Sequence, residues 1–187
     1  AAAAAAALAG GSGGDAATPP VPAAYADLKA AQVKALSFLT YLLRQAPASV
    51  GEEARAALVA ALVGALSTCP DAVPPRKELL VALRHVLTTP LRSAFAPHAV
   101  ALLDEGALLG GGPRAAAELR PLAYSALAEL VHHVRSALDG PALGAVVSVF
   151  GRAMADPGLP AAVQCTAARL LLNLVEVLYA RRGAGEP

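Results

Sequence analysis

The chain has 187 residues, of which 56% are hydrophobic, 16% are charged and only 4% are aromatic. That length suits one domain or a piece of a larger one. The formal net charge of +1 leaves no global field that would attract nucleic acid or anionic lipid. The two cysteines, Cys69 and Cys165, have neither a metal-ligand spacing nor the density of a disulfide framework.

Residues 1–22 run from alanines through Gly and Ser to prolines, without the basic start of a signal peptide. We expect a disordered segment over 1–22, helical repeats over 23–182 and a flexible tail over 183–187. Because the chain opens with alanine instead of methionine, we expect it to be a fragment of a longer protein or a processed product. The uncharged stretch 56–70 has 15 residues and ends in proline. It is shorter than the roughly 20 residues that cross a bilayer, so we expect a core helix and no membrane partner.

The predicted elements are all helices, because alanine and leucine dominate the apolar residues and recur with a period of three to four. Proline and glycine interrupt this pattern between one helix and the next. The predicted helices cover 24–46, 50–68, 74–89, short pieces between 90 and 109, 114–138, 141–155 and 160–181. Ser49 and Glu52 predict a capping box at the second helix. No stretch alternates as a strand does, so the predicted fold is all-α.

The sequence 119–131 matches 163–175 at an offset of 44 residues, with apolar residues at equivalent positions. A helix pair that recurs every 40–47 residues is typical of HEAT or armadillo repeats. Ala123 and Ala167 are the small residues at the centre of the two helices and would allow close helix approach. Short connections predict antiparallel neighbours. We therefore predict an α-solenoid of HEAT-like antiparallel helix pairs.

A metal site at Glu129, His132 and His133 is less favoured than a structural role for these residues. Glu129 and His132 have the spacing of half a di-iron carboxylate site, but the other half is missing from the sequence. Because adjacent helical residues diverge by about 100°, His132 and His133 cannot both face one ion. We expect one of them to flank the core and the other to lie at the surface. Pro121 is expected in the first turn of a helix or at a bend in a longer one.

The remaining candidates also have structural interpretations. Cys165 lacks a histidine nearby in sequence, so a buried thiol is favoured over a nucleophile. Arg120 and Arg135 bracket one predicted helix and are either surface charges, which we favour, or bridges between repeats. The basic pairs Arg76–Lys77 and Arg181–Arg182 have no interleaved aromatics, so direct nucleic-acid binding is not expected. We expect no catalytic residue, cofactor or small-molecule ligand.

Several long segments resemble the transformation/transcription domain-associated protein family, in its N-terminal HEAT region. RPLAYSALAELVHHVR at 120–135 carries the resemblance first. RKELLVALRHVLTTPLRSAFAP (76–97), LLDEGALLG (102–110) and LPAAVQCTAARLLLNLVE (159–176) follow the family in the same order. The resemblance covers about 76–180. The family-like motif residues are Leu119, Arg120, Pro121, Leu122, Ala123, Tyr124, Ser125, Leu127, Leu130, His132, His133, Arg135, Leu171, Leu172, Asn173 and Leu174.

The resemblance implies a nuclear, non-catalytic scaffold. Members of this family are very large proteins with a long HEAT solenoid and a kinase-like domain without catalytic residues. They are subunits of SAGA-type histone acetyltransferase complexes. The implied partners are protein subunits of such a coactivator complex and transcription activators. The alternative is an unrelated HEAT or armadillo scaffold or adaptor, and a helical metalloenzyme is a third hypothesis.

Overall fold

Helices make up almost all of the part of the chain that the computed structural model describes, residues 23–45 and 51–183. They are α1 (Ala23–Gln45), α2 (Glu52–Thr68), α3 (Val73–Leu87), a 3₁₀ helix (Pro90–His98), α4 (Ala99–Leu102), α5 (Glu105–Leu109), α6 (Pro113–Val134), α7 (Gly140–Ala155) and α8 (Ala161–Gly183). No strand occurs within these residues, and the predicted all-α fold is confirmed. The expected disordered segment 1–22 and residues 184–187 of the expected tail lie outside the described residues, whereas Gly183 belongs to α8.

Proline and acidic caps set several helix starts. Pro113 is the first residue of α6, where its missing N–H costs no helical hydrogen bond. Asp139 caps α7, because its carboxylate accepts the N–H of Ala142 at 2.8 Å. Asp104 caps α5 in the same way, accepting the N–H of Gly106 at 3.0 Å. These polar side chains satisfy N–H groups that the first helical turn leaves without a backbone partner.

Two predicted details of the helices are wrong. The capping box does not form, because Gly51 is the N-cap of α2 and Glu52 is its first residue, two positions too early for a box. Ser49 itself lies outside the described residues. The helix predicted to reach residue 138 ends at Val134, where a turn closes with the N–H of Ala137 donating to the Val134 carbonyl at 2.8 Å.

Pro121 lies in the interior of α6, not in its first turn. Proline has no N–H, so the carbonyl of Ala117 lacks the donor that every other residue would supply four positions later. The helix nevertheless continues through Pro121 to Val134. Its stability must therefore come from packing, and the buried residues Leu119, Ala123 and Leu127 lie on either side of the proline.

The helices form two layers. In one layer α1, α3, α6 and α8 pack side by side in chain order. In the other, α2 packs against the 3₁₀ helix and α5, and α4 reaches α7. Consecutive members of the two layers pack against each other as α2 with α3, α5 with α6, and α7 with α8. This arrangement of stacked helix pairs is the predicted α-solenoid.

One apolar core runs through the stack from Val33 to Leu174. The 44-residue repeat is visible in it, since Ala123 and Ala167 are both buried at equivalent positions. The equivalence fails at its last pair, because Val131 is buried whereas Val175 is 59% exposed. A shared period therefore predicts the buried face of each helix, but how far that face is covered depends on its neighbours.

Arg76 ties three helices together from inside the core. Its guanidinium donates from Nη2 to the carbonyl of Cys69 at 2.6 Å, at the end of α2. Its Nη1 donates to the carbonyls of Ala107 and Leu108 at 3.2 and 3.3 Å, in α5. Asp71 lies 3.5 Å from Nη2 and supplies the countercharge. A buried cation here satisfies carbonyl groups that the ends of two helices leave without intrahelical donors.

Candidate functional site

Six of the sixteen family-like motif residues are buried in the core, and the others are half-buried or exposed. On α6, Leu119, Ala123, Leu127 and Leu130 are buried, and Tyr124 packs edge-on against Phe150 of α7 with ring centroids 6.0 Å apart. On α8, Leu174 is buried and Leu171 is half-buried, while Leu172 and Asn173 are exposed. The buried motif residues carry the packing between helix pairs, whereas Leu172 lies on an exposed side of α8.

Arg120 bridges two successive helix pairs, which corrects the favoured surface interpretation. Its Nε lies 2.9 Å from a carboxylate oxygen of Glu105 in α5, and its Nη1 lies 3.5 Å from Asp156, directly after α7. Arg135, in contrast, stays within its own helix. It donates to the carbonyl of His132 and contacts the ring Nδ1 of His132 at 2.8 Å. Arg120 therefore holds repeats in register, and Arg135 only closes the end of α6.

The two adjacent histidines separate as expected, since His132 is exposed and His133 is half-buried. Burial lowers the pKa of His133 first, and the nearby cation of Arg92 lowers that pKa further. Glu129 lies 3.5 Å from Arg84 of α3 in an ion pair. Among the described residues, no three His, Cys, Asp or Glu side chains converge as metal ligands would.

The cysteines differ from expectation at one position. Cys165 is exposed on α8, so the expectation of a buried thiol is wrong there. It lies on the side of α8 that faces away from the rest of the stack. Cys69 is buried at the end of α2, and burial raises the pKa of its thiol above the ordinary value. Its neighbour Arg76 works in the opposite direction without cancelling that effect.

Apolar side chains remain uncovered at both ends of the stack. At one end they lie on α1, and they are Leu28, Phe38, Leu39 and Leu42. At the other end a stripe on α8 runs through Leu172, Val175 and Tyr179, which are 69%, 59% and 80% exposed. Val147 and Met154 of α7 are exposed as well. We call these the first and second end faces. Large exposed apolar patches mark contact surfaces in soluble proteins.

By length and composition, α8 is also apolar enough to cross a membrane between Ala161 and Arg182, and among the described residues it alone passes that test. Its position gives a different reason for the apolar character. One side of α8 packs against α6 and α7, and the opposite side carries the second end face. The buried side and the second end face together make two sides of α8 apolar.

An open groove lies between α1 and α3. It has a volume of about 590 Å³ and is lined by Lys34, Ser37, Thr40, Tyr41, Arg44, Pro74, Lys77, Glu78, Val81, Ala82 and His85. A smaller depression of about 350 Å³ between α3 and α6 continues it, because both are lined by Arg44, Val81 and His85. Sequence reasoning missed this groove. The only signal was the row of mostly polar residues from Lys34 to Arg44 along one side of the first helix.

Comparison with known proteins identifies the helical stack. The family model described as the Tra1 HEAT repeat central region matches residues 24–186. That description places the segment in the central region of the family, whereas the sequence resemblance pointed to the N-terminal HEAT region. The match also includes α1 and α2, for which sequence reasoning found only helical character.

Curated relatives agree with the family model. The chain is 45% identical to the transformation/transcription domain-associated protein of Danio rerio and 44% identical to that of Homo sapiens, over 84% of its length in each case. It is 37% identical over 83% of its length to the SAGA complex/NuA4 acetyltransferase complex subunit Tra1 of Schizosaccharomyces pombe. The chain spans 4% of the length of these relatives. The chain therefore belongs to the Tra1 (transformation/transcription domain-associated protein) family.

Proposed function

We propose that this chain is a non-catalytic scaffold segment of a SAGA-type histone acetyltransferase coactivator complex in the nucleus. Two observations carry the proposal: the Tra1 family model matches residues 24–186, and the chain is 37% identical over 83% of its length to a named acetyltransferase-complex subunit. The stack itself carries no competing site among the described residues. Its half-buried acidic groups Glu105 and Glu129 pair with arginines of neighbouring helices.

The architecture suits a scaffold for a physical reason. Helix pairs that contact only their neighbours build an extended, stiff surface, and the two end faces extend that stack into further repeats. Partners then bind the open surfaces of the layers, where side chains such as those of the α1–α3 groove are free. The proposed partners are protein subunits of the complex and transcription activators, with no cofactor, small-molecule ligand or direct nucleic-acid contact.

Cross-linking of the intact nuclear assembly tests whether this segment contacts partners. The full-length protein is purified from nuclei with its associated subunits and treated with an amine-reactive cross-linker. Lys34 and Lys77 border the groove and offer reactive amines on the surface. We expect cross-links from these two lysines to other subunits. Variants with Lys34→Arg and Lys77→Arg keep the charge and should lose those cross-links. Cross-links that lead only to the same polypeptide would contradict a partner-contacting role.

A further inference from the structure

We propose that Ser136 is a phosphorylation site, and that its phosphate is held by Arg181 and Arg182 at the end of α8. The inference goes beyond the proposed function, because it assigns a covalent modification and not a partner surface. Three features carry it: the exposed hydroxyl of Ser136, the two arginines beside it, and the open depression that the three residues line together.

Ser136 differs from the other exposed serines and threonines of the described segments. It lies in the turn between α6 and α7, and its hydroxyl makes no hydrogen bond with any described residue. The others each form a side-chain hydrogen bond with a residue three or four positions away, and they are Ser67, Thr68, Thr88, Ser93 and Ser148. A hydroxyl in a surface turn, without such a bond, is the most accessible of this group to a modifying enzyme.

Two arginines of α8 lie beside Ser136. Nη2 of Arg181 donates to the Ser136 carbonyl at 3.0 Å, although the two residues are 45 positions apart. Arg182 lines the same depression as Ser136. Within the described residues, neither arginine forms an ion pair with a carboxylate. Cations at a helix C-terminus often only offset the helix dipole. Arg181 does more, because it reaches out of its own helix to the residue that would carry the phosphate.

The depression between the α6–α7 turn and α8 leaves room for a phosphate. Its volume is about 670 Å³, and Ser136 is exposed at its edge. Leu178, Arg181 and Arg182 line it from α8, and their spacing of three and four positions places them on one side of that helix. Leu143 lines it from α7. The leucines can pack against the aliphatic stems of the arginines, while the guanidinium groups stay in the solvent beside the serine.

A phosphate on Ser136 would meet more positive than negative charge. It would carry a charge of about −2 and three acceptor oxygens, and each guanidinium can donate two hydrogen bonds to it. Arg135 adds a third cation directly before Ser136. Asp139 is the acidic side chain that lines the depression, and its carboxylate already accepts the N–H of Ala142. The carbonyl groups at the end of α6 are unfavourable for an anion, but the three arginines outweigh them.

The phosphate would strengthen the link between the α6–α7 turn and the last turn of α8. In the unmodified chain, that link includes one hydrogen bond from Arg181 to a neutral carbonyl. Hydrogen bonds between a guanidinium and a phosphate are shorter and stronger, because both partners are charged. Since α8 carries the second end face, phosphorylation would make the helix pair at that end of the stack more rigid.

The modification requires ATP and a serine kinase that selects a basic residue before the serine. Oγ of Ser136 attacks the γ-phosphorus of ATP, and the bond from that phosphorus to the β–γ bridging oxygen breaks. The hydroxyl proton passes to a base of the kinase, and ADP leaves. Arg135 supplies the basic residue that precedes the serine.

The chain contains a matched control for this site. Residues 134–138 read VRSAL and residues 91–95 read LRSAF, so Ser136 and Ser93 have nearly the same neighbours in sequence. Their structures differ, because Ser93 lies inside the 3₁₀ helix and its hydroxyl donates to the carbonyl of Pro90 at 3.4 Å. A kinase that responded to sequence alone would modify both serines, whereas the structure favours Ser136.

The first test is phosphorylation of the full-length protein purified with its associated subunits. The sample is incubated with ATP and a kinase of the stated class, and mass spectrometry of its peptides measures the occupancy of both serines. We expect several-fold more phosphate on Ser136 than on Ser93, and Ser136→Ala should remove only the first signal. An unmodified Ser136, or equal occupancy of the two serines, would overturn the assignment of the site.

Amide hydrogen exchange of the same sample tests the contact with the arginines. Residues 176–182 should exchange about tenfold more slowly when Ser136 is phosphorylated, because charge-assisted hydrogen bonds oppose opening of the helix end. Arg181→Gln with Arg182→Gln should keep the phosphate and abolish this slowing, whereas Arg169→Gln, at an exposed position of α8, should change neither. Exchange that phosphorylation leaves unchanged, or a slowing that persists in the double variant, would overturn the proposed role of the two arginines.

Discussion

Gly110 lies so close to Arg76 that a Cβ atom on the glycine would stand 2.8 Å from Nε of the guanidinium. The same atom would also collide with the carboxylate of Asp71. Gly110 has a φ of 76°, a left-handed conformation that favours glycine, at the end of α5. The tight turn at Gly110 therefore brings the end of α5 into contact with Arg76, which donates hydrogen bonds to carbonyl groups of α5.

Replacing Gly110 with alanine should destabilise the fold. The left-handed backbone and the contact with Arg76 together should lower the free energy of unfolding by about 1–3 kcal/mol. Gly64→Ala is the matched control, because Gly64 lies inside α2 with no atom within 4 Å of the added Cβ. That change should raise the free energy of unfolding by roughly 0.5–1 kcal/mol. Urea midpoints at equal protein concentration measure both. Equal stability for the two variants would contradict the proposed contact.

Replacing Arg76 with methionine should have a larger effect. The side chain is buried, and its loss leaves carbonyl oxygens of α2 and α5 without their donor, at a cost on the order of 3 kcal/mol. Arg76→Lys should recover only part of this, because one ammonium group cannot reproduce the fork of the guanidinium. Arg169→Met on the exposed side of α8 is the control. A thermal melt that is the same for Arg76→Met and Arg169→Met would show that Arg76 is dispensable.

The chain should lose stability as the pH falls below neutrality. In the fold the pKa of His133 is lowered from its usual 6.5, by burial first and then by Arg92 and His132. The unfolded chain then binds more protons, so stability that is present above pH 6.5 is lost as the pH falls from there through the folded pKa. His133→Gln should flatten this part of the profile, and His85→Gln at an exposed position is the control. Urea midpoints between pH 7.5 and about pH 5 measure the effect. An unchanged slope in His133→Gln would exclude His133 as its source.

The isolated chain should self-associate through its end faces. Stacked repeats with apolar ends normally require capping surfaces to stay soluble. Leu172→Glu, Val175→Lys and Tyr179→Ser together should shift sedimentation velocity profiles towards the monomer. Val100→Ser removes an exposed apolar side chain of α4 outside both end faces, and this control should leave the profile unchanged. A monomeric wild-type chain with a sharp melt at high temperature would contradict this prediction.

Most helix boundaries can be predicted from the sequence, because the prolines and glycines that set them act locally. Prolines and glycines at the ends of α5, α6 and α7 restrict or release their own backbone. The loop from Gly110 to Pro113 and the end of α7 at Asp156 can therefore be predicted without tertiary information. The periodic leucines likewise predict buried faces. The capping box failed because Ser49 and Glu52 match a local pattern at a helix that begins two residues later than predicted.

The contacts between helices that stabilise the stack could not be predicted from such local patterns. Arg76 appeared as half of a surface basic pair, yet its carbonyl partners in α5 lie 31 and 32 residues away. Arg120 bridges to Asp156 only because α5, α6 and the end of α7 meet in space. Cys165 is exposed because it lies on the uncovered side of α8. Such properties depend on the relative positions of helices, which periodicity alone does not specify.

The proposed scaffold role of this chain in an acetyltransferase complex has one direct test. Affinity purification of the full-length protein from nuclei, followed by mass spectrometry of the co-purifying proteins, tests it most directly. We expect histone acetyltransferase and adaptor subunits in fixed stoichiometry with the bait. Their absence from the purified material, with transport or kinase-adaptor proteins in their place, would contradict it.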